Sequence, residues 1–585
     1  MVRDNLDDVM EQVGWGLWQA PIVVFIIIAQ SSGPGQWMGV SLYGAPLPFK
    51  CSSGGYFITS TANATINSET GYWWSEAHNQ SDVDGGYDNR CLSEVDQQSS
   101  QPLIEVVPVS QADQQRPPLL YINPPGPPSC PVVHYDTSVF ENSIISEWHM
   151  VCERESLRPL FQMVYTCGNI LGCFICGLLG DRLGRKRTLL LGTLISLPSI
   201  MVIVFLPWYS VVLAARFATG IANLIIYFAS YTLFVESIPP RNRSTFSILI
   251  NIMQSVAIIC FGAVGYMVRS WRRLLLVSSV QICIAPPLIL LLKESPRWLI
   301  QKGRWEEAIS VLEKAAILNR SDQSAFQASL AKLQMNDIRN MASGDEVTTE
   351  KQEDQTLWQA LKFPVMRAII LVTPAVCFQS RVSHMGITLN SNNFTSTSPF
   401  QYVIVLGAMG MAANLFGAAM SVRVGRRAFV ACALLMSGSL LALDTFIPSD
   451  YGWVKWVLIA LAFFPMSSIF QTITFFMTEL FPTAIRVRGM TLVEIAGGVG
   501  DLCAPLITHI LALHAKWAIS IILGGAGILG GLLALLLPET RNRPLPETIH
   551  DVENRGGSIE KSSTIQKCSA SFQGRTKEEK QQSGE

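Results

Sequence analysis

Among the charged residues that stand inside apolar runs are Arg381, Glu494 and Asp501. On a helix, Glu494 four residues before Gly498 and Asp501 three after it share one face with that glycine. An acid deep in a membrane is costly unless it faces water or a partner, so Asp501 is expected to line a cavity. There it holds a cation, carries a proton, or pairs with Arg381, and the sequence leaves all three open. Glu494 lies nearer the cytoplasmic end and reads as an acid of a latch at that edge. Enzymatic chemistry finds no support. Gly525-Ala-Gly527-Ile-Leu-Gly530 spells a dinucleotide fingerprint, but it lies in an apolar run with no preceding strand, which favours helix packing. Cys173-Phe-Ile-Cys176 is likewise mid-run with no second pair, and no metal or cofactor is implied.

The elements that must position these charges are membrane spans. Of 585 residues, 49% are hydrophobic and 15% charged, and the mean hydropathy is +0.31. A soluble chain carries roughly a quarter of its residues charged. Lys plus Arg at 43 nearly balance Asp plus Glu at 44, which argues against a nucleic-acid partner. The first apolar run, Trp18 to Val40, follows an acidic start and lacks a small-residue cleavage site, so it reads as a first span rather than a signal peptide. The stretch Gly177-Leu-Leu-Gly-Asp181-Arg182-Leu-Gly184-Arg185-Lys186-Arg187 is pinned between two runs long enough to cross a bilayer. Its basic excess places it at the cytoplasmic surface. Val422-Arg423-Val-Gly425-Arg426-Arg427 repeats it without the aspartate.

Further runs follow at Pro159 to Leu179, Thr188 to Leu206, Val211 to Phe234, Ser247 to Val268 and Leu274 to Leu292. The second half repeats the pattern at Val365 to Ser383, Gln401 to Val422, Ala428 to Ile447, Trp456 to Phe476, Gly489 to Leu511 and Trp517 to Leu537. The expectation is an all-α membrane protein of about twelve helices in two halves of six. Residues 1–17 form a cytoplasmic N-terminus, 18–40 the first helix, 41–157 a large extracellular loop and 158–292 the rest of the first half. Residues 293–364 form a cytoplasmic connector, 365–540 the second half, and 541–585 a polar cytoplasmic tail expected to be disordered. In the connector, Trp305, Ile309, Leu312 and Ala316 recur at helical spacing, as do Phe326, Leu330 and Leu333, so amphipathic helices are expected.

The loop carries glycan acceptors at Asn63 and Asn79, with a third at Asn393 in a later external loop. It also holds Cys51, Cys91, Cys130 and Cys152, which pair in any of three ways in an oxidising compartment. Most other cysteines sit in apolar runs as small packing residues. Arg269, Arg272 and Arg273 are an exception to the charge rule, since they fall outside.

The chain resembles the organic-ion branch of the major facilitator superfamily, the carriers of organic cations, carnitine and organic anions. The residues that carry the likeness are Val13-Gly-Trp-Gly-Leu-Trp-Gln19, Ser146-Glu-Trp-His-Met-Val-Cys152 and Glu294-Ser-Pro-Arg-Trp-Leu299. To these add Thr478-Glu-Leu-Phe-Pro-Thr-Ala-Ile-Arg486 and Leu537-Pro-Glu-Thr-Arg541. The cysteine-bearing first loop separates this branch from the sugar porters. The resemblance implies a plasma-membrane carrier of small organic ions working by alternating access, with one site near the bilayer midplane and both termini cytoplasmic. It implies a cytoplasmic gate in which Asp181, Arg182, Arg185 and Arg216 interlock with Glu236, Glu479 and Arg486 while the inner side is shut. Gly184, Arg423 and Arg426 belong to the same turns. The family's eleventh span carries an aspartate in cation carriers and an arginine in anion carriers, and the matching position here is Gly498. The same alignment places Tyr227, Tyr231 and Thr232 on the cavity side of the fourth span and matches Gln379 to a family glutamine. The expected cargo is an organic cation or a carnitine-like zwitterion. An organic anion, favoured by Arg381, is the alternative, and so is a non-transporting receptor that binds through the loop. Sodium or proton coupling is left open.

Overall fold

The computed structural model describes residues 2–44, 47, 49–53, 56–58, 132–342, 357–389, 398–448, 451–482, 485–514, 516–541, 546, 549 and 551–553. Among them are twelve helices long and apolar enough to cross a membrane. Spans 1 to 6 are Leu17–Tyr43, Cys152–Leu183, Arg185–Phe205, Tyr209–Ser237, Ile248–Val268 and Trp271–Leu291. Spans 7 to 12 are Pro364–Leu389, Pro399–Met420, Arg426–Asp444, Gly452–Phe470, Arg488–Leu511 and Trp517–Ala534. Each overlaps one apolar run of the sequence. Helices are the outcome because lipid offers backbone groups no partner, so each span must satisfy its own. Span 6 is interrupted by a 3-10 stretch, Val280–Ile284, before Pro286 and Pro287 open its last helical turns. Neither proline can donate a backbone bond, so the helix restarts there.

Within the first half span 4 packs on spans 2 and 3, and within the second span 12 packs on span 9 and span 11 on span 7. The glycines of the false dinucleotide fingerprint do this packing: a Cβ at Gly527 would lie 3.0 Å from the Gly438 Cα of span 9. Between the halves, span 5 meets span 8 and span 2 meets span 11. The span 5–8 seam runs from Gly265 and Phe400 at the end that carries the 41–157 insert as far as Asn414, whose amide donates to the Asn251 carbonyl at 3.2 Å. At the insert end Phe140 and Tyr266 lie on Phe400, with ring centroids 4.9 and 6.0 Å apart. A Cβ at Gly498 of span 11 would sit 2.8 Å from Ile170 of span 2, whereas one at Gly177, two turns further along that face of span 2, would meet nothing within 4 Å. Along spans 2 and 11 the halves therefore touch at the insert end and part toward the arginine turns.

The insert adds a three-stranded antiparallel sheet to an otherwise helical chain. Strand β1 (Phe49–Ser53) lies between β2 (Tyr56–Ile58) and β3 (Val132–Tyr135), with Cys51 opposite both Ile58 and Val133. A short helix, Ile144–Trp148, then brings Glu147 against span 6. Both Glu147 oxygens accept from Arg272 Nε at 3.0 Å, and Trp271 Nε1 donates to the same carboxylate at 2.7 Å. Arg272 Nη1 also donates to the carbonyls of Ile203 and Val204 at the end of span 3. Arg273 pairs with Glu141. Two of the three exceptional arginines thus have their own acids, supplied by the Ser146-Glu-Trp segment and its approach, while Arg269 donates to the Tyr266 and Ser138 carbonyls. Cys152 is disulfide-bonded. Cys91, Cys130, Asn63, Asn79 and Asn393 lie outside the described residues.

At the opposite end, α1 (Val2–Val13) joins three connector helices, α2 (Pro296–Gln301), α3 (Trp305–Leu318) and α4 (Gln323–Ala342). Leu6, Val9, Met10 and Val13 recur at helical spacing and bury against Leu312, Phe326, Leu330 and Leu333. Asp7 ties this platform to the first half, pairing with Arg243 at 2.9 Å and with Arg297. Burial, then the neighbouring Arg243, lowers the Arg297 guanidinium from its ordinary value. The tail differs from expectation in one stretch. Ile549 and Val552 are buried, and Glu553 accepts a 2.9 Å bond from the Met366 amide at the start of span 7. A carboxylate at a helix N-terminus satisfies an orphan donor, which orders this part of an otherwise polar tail.

Candidate functional site

Arg381 of span 7 reaches across to span 11 and holds both of its acids. Its Nη1 donates to Asp501 at 3.2 Å and its Nη2 to Glu494 at 3.1 Å. The acids are seven residues apart, two helical turns, so they project from one face. The aromatic ring of Phe470 lies 4.4 Å from the guanidinium carbon. The three side chains keep 23%, 26% and 19% of their surface for Arg381, Glu494 and Asp501. They sit among spans yet remain reachable by water. Across from them, in the first half, Tyr227 and Tyr231 stack in parallel on span 4 with centroids 6.5 Å apart. Tyr227 lies within electrostatic range of Glu494 and Arg381. Thr232 is half-buried and about 100° further round that helix.

The two arginine turns share one construction. Gly184 and Gly425 adopt φ of +97° and +102°, which favours glycine. A carboxylate then closes each turn: Glu294 accepts from the Arg185 amide at 2.9 Å, and Glu539 from the Arg426 amide at 3.0 Å. Each arginine next binds an acid on a neighbouring span, Arg185 to Glu236 at 3.1 Å and Arg426 to Glu479 at 3.3 Å. Asp181 adds a 3.2 Å contact to Arg185, and Thr540 donates to Glu479 at 2.5 Å. With the halves parted at this end, these charges close inside their own halves.

A two-half, twelve-span bundle with a charged midplane and paired glycine-arginine turns is the setting for the comparisons. The family described as "Sugar (and other) transporter" matches residues 128–551. Solute carrier family 22 member 6-A of Xenopus laevis is 28% identical over 427 residues, 72% of this chain and 74% of that protein. Solute carrier family 22 member 12 of Homo sapiens is 29% identical over 421 residues, again 72% and 74%. The chain belongs to this family of sugar and other transporters, in the major facilitator superfamily. The inward-open xylose transporter XylE from E. coli shares its fold, with a TM-score of 0.52 at 17% identity over 69% of this chain and 90% of that one.

Three of the transporter's expected site residues belong elsewhere. Arg216 does not join the other residues expected at the gate. It lies twenty residues before Glu236 on span 4, about 30 Å along the helix and toward the insert end. There it is buried, donating to Gln36 at 3.0 and 2.9 Å and to Gln162 at 3.5 Å, between the rings of Phe161 and Tyr165. Gln379 faces span 12 rather than the cavity: its amide donates to Ser383 at 2.8 Å, and a Cβ at Gly530 would lie 2.8 Å from its side chain. Gly498 is where span 11 rests on Ile170, so any longer side chain there meets span 2 in this state. Arg486 donates to the carbonyls of Phe481 and Pro546, while Arg182 and Arg423 are exposed.

Sequence reasoning missed several neighbours of the triad. Tyr165 lies within electrostatic range of Asp501 and accepts a 2.8 Å bond from Asn223. His384 stacks on Phe463 and lies 6.4 Å from Trp37 of the other half. Only Asn223 left a visible signal, being a polar side chain in an apolar run four residues before Tyr227.

Proposed function

We propose that this protein carries small organic ions across the plasma membrane by alternating access, taking a cation or a carnitine-like zwitterion at Arg381, Glu494 and Asp501. The observation behind this reading is the triad's charge: one guanidinium against two carboxylates, between the halves and reachable by water. One acid more than base complements an ammonium group. The stacked faces of Tyr227 and Tyr231, flanked by Thr232, add a cation–π attraction of about 0.5–2 kcal/mol. In this reading the arginine turns, the connector and both termini face the cytoplasm, where Asp181, Arg182, Gly184, Arg185, Glu236, Arg423, Arg426, Glu479 and Arg486 form the gate. The insert faces outward, with Asn63, Asn79 and Asn393 as glycan acceptors and Cys51, Cys91 and Cys130 alongside Cys152 as its disulfide set.

An uptake panel of radiolabelled cations, zwitterions and anions tests this with Asp501→Asn at matched surface expression. Cation uptake is expected to fall about tenfold or more, the effect of about 1.4 kcal/mol. Unchanged uptake removes the reading. Organic anions are the second reading, favoured by Arg216, a buried cation whose contacts with Gln36, Gln162, Phe161 and Tyr165 are all to neutral groups. It requires anion uptake that Arg216→Gln and Arg381→Gln both abolish. A carrier that moves no member of the panel but binds a protein through its insert would be the receptor instead.

A further inference from the structure

We propose that the Arg381–Glu494–Asp501 triad exchanges one proton for each organic cation, with Asp501 protonated in the empty carrier. This rests on the cation reading above and adds the coupling ion to it. Arg381 spends one hydrogen bond on each acid, at 3.2 and 3.1 Å, so a single positive charge is divided between two negative ones. With both acids ionised the group carries a net −1, and an uncompensated ion away from bulk water costs several kcal/mol.

The groups facing Asp501 leave it uncompensated. Span 7 presents Arg381 and the Cys377 thiol, span 2 presents the Tyr165 phenol, and its own helix presents Glu494. Tyr227 of span 4, Cys173 of span 2 and His384 of span 7 face Arg381 or Glu494 rather than Asp501. The cation Arg216 lies behind the Tyr165 ring, 4.5 Å from its centroid. Among the described residues Arg381 is thus the one positive charge in direct contact with either acid, and a proton is the smallest ion that restores neutrality. Asp501 is the acid that takes it. It is the less exposed of the two, at 19% against 26%, and it sits two turns nearer the closed insert end. Glu494 faces the parted end and keeps its own 3.1 Å bond to Arg381.

The exchange balances. In the empty carrier the site holds Arg381 positive, Glu494 negative and Asp501 neutral, a sum of zero. When the substrate's cationic group arrives, the Asp501 O–H bond breaks, its electron pair stays on the carboxylate, and the proton passes to cavity water. The loaded site holds two positive and two negative charges, again zero. One full turn moves one cation against one proton and no net charge.

The test uses purified full-length protein in proteoliposomes with tetraethylammonium, a probe that cannot itself carry a proton. An acidic lumen is expected to raise the initial uptake rate severalfold, an imposed membrane potential to leave it unchanged, and Asp501→Asn to erase the response to the proton gradient. Uptake that follows the potential and ignores the gradient overturns the exchange but leaves the carrier reading standing. An infrared titration of the same protein covers the case in which no probe moves. A protonated-carboxyl stretch at neutral pH, lost in Asp501→Asn and retained in Glu494→Gln, supports the protonated site even if the carrier reading fails. Its absence from the unmodified protein overturns the proposal whatever the cargo.

Discussion

The two halves agree at the arginine end and disagree in the middle of the membrane. At the arginine end, Gly184, Arg185, Glu236 and Glu294 do in one half what Gly425, Arg426, Glu479 and Glu539 do in the other. At mid-membrane the second half presents three charges, whereas the first presents the neutral rings of Tyr227 and Tyr231 and the Tyr165–Asn223 pair. What is duplicated holds each bundle rigid. What is not duplicated is free to be shaped by cargo. A charged wall facing an aromatic one suits a ligand that carries charge and also a flat or apolar body.

At the insert end, among the described residues, only the first half has a buried ion pair. Glu147→Gln would strand Arg272, whose side chain is only 9% exposed. Removing one partner of a buried pair costs about 3–5 kcal/mol. The expected result is the largest fall in melting temperature of any variant considered, read on purified protein. A small fall would mean that the Ile203 and Val204 carbonyls alone can hold the cation, and that the insert end resembles the gate more than its chemistry suggests. Next come Gly184→Ala and Gly425→Ala. Each forces a side chain into a positive φ, costing about 1–3 kcal/mol, and its Cβ would meet Glu294 or Glu539 oxygens at 2.4 or 2.8 Å. Matched losses in the two variants sustain the equivalence of the turns. A tolerated Gly425→Ala would break it.

The spans were legible because hydrophobicity at this length has one structural solution in a bilayer. The connector helices were legible for a related reason, since Leu312 and Phe326 sit on regular stripes. The site was legible only in part. Asp501 and Glu494 announced themselves as charges in apolar runs, and their shared face followed from spacing. That both would converge on Arg381 depends on how span 7 packs against span 11, which no local pattern records. Arg216 shows the opposite failure. Its charge suggested the gate with the other arginines, but helical rise alone carries it far from Glu236. Gln379 was misplaced because matching a position does not say which face of span 7 it occupies. Glu147 was hidden inside a recognisable motif, its partner more than a hundred residues away in a loop that looked like an exception.

The smallest expected effect is the sharpest probe of the two turns. Asp181 is the one element without a counterpart, because Val422 stands in its place. Its side chain is 77% exposed, and Arg185 keeps Glu236 at 3.1 Å and the Gly180 carbonyl at 2.6 Å without it. An exposed pair of this kind is worth at most about 1 kcal/mol. Asp181→Asn should therefore move the melting temperature far less than Gly184→Ala does. Val422→Asp places an acid four residues before Arg426, an arrangement worth about 0.3–0.5 kcal/mol, and should raise it slightly. If Asp181→Asn barely changes the melt yet slows transport, Asp181 acts in the state in which the arginine ends meet, where the second half has nothing to match it. If it destabilises as much as the glycine variant, the turn depends on its aspartate, and the two halves are not built alike even where they look most similar.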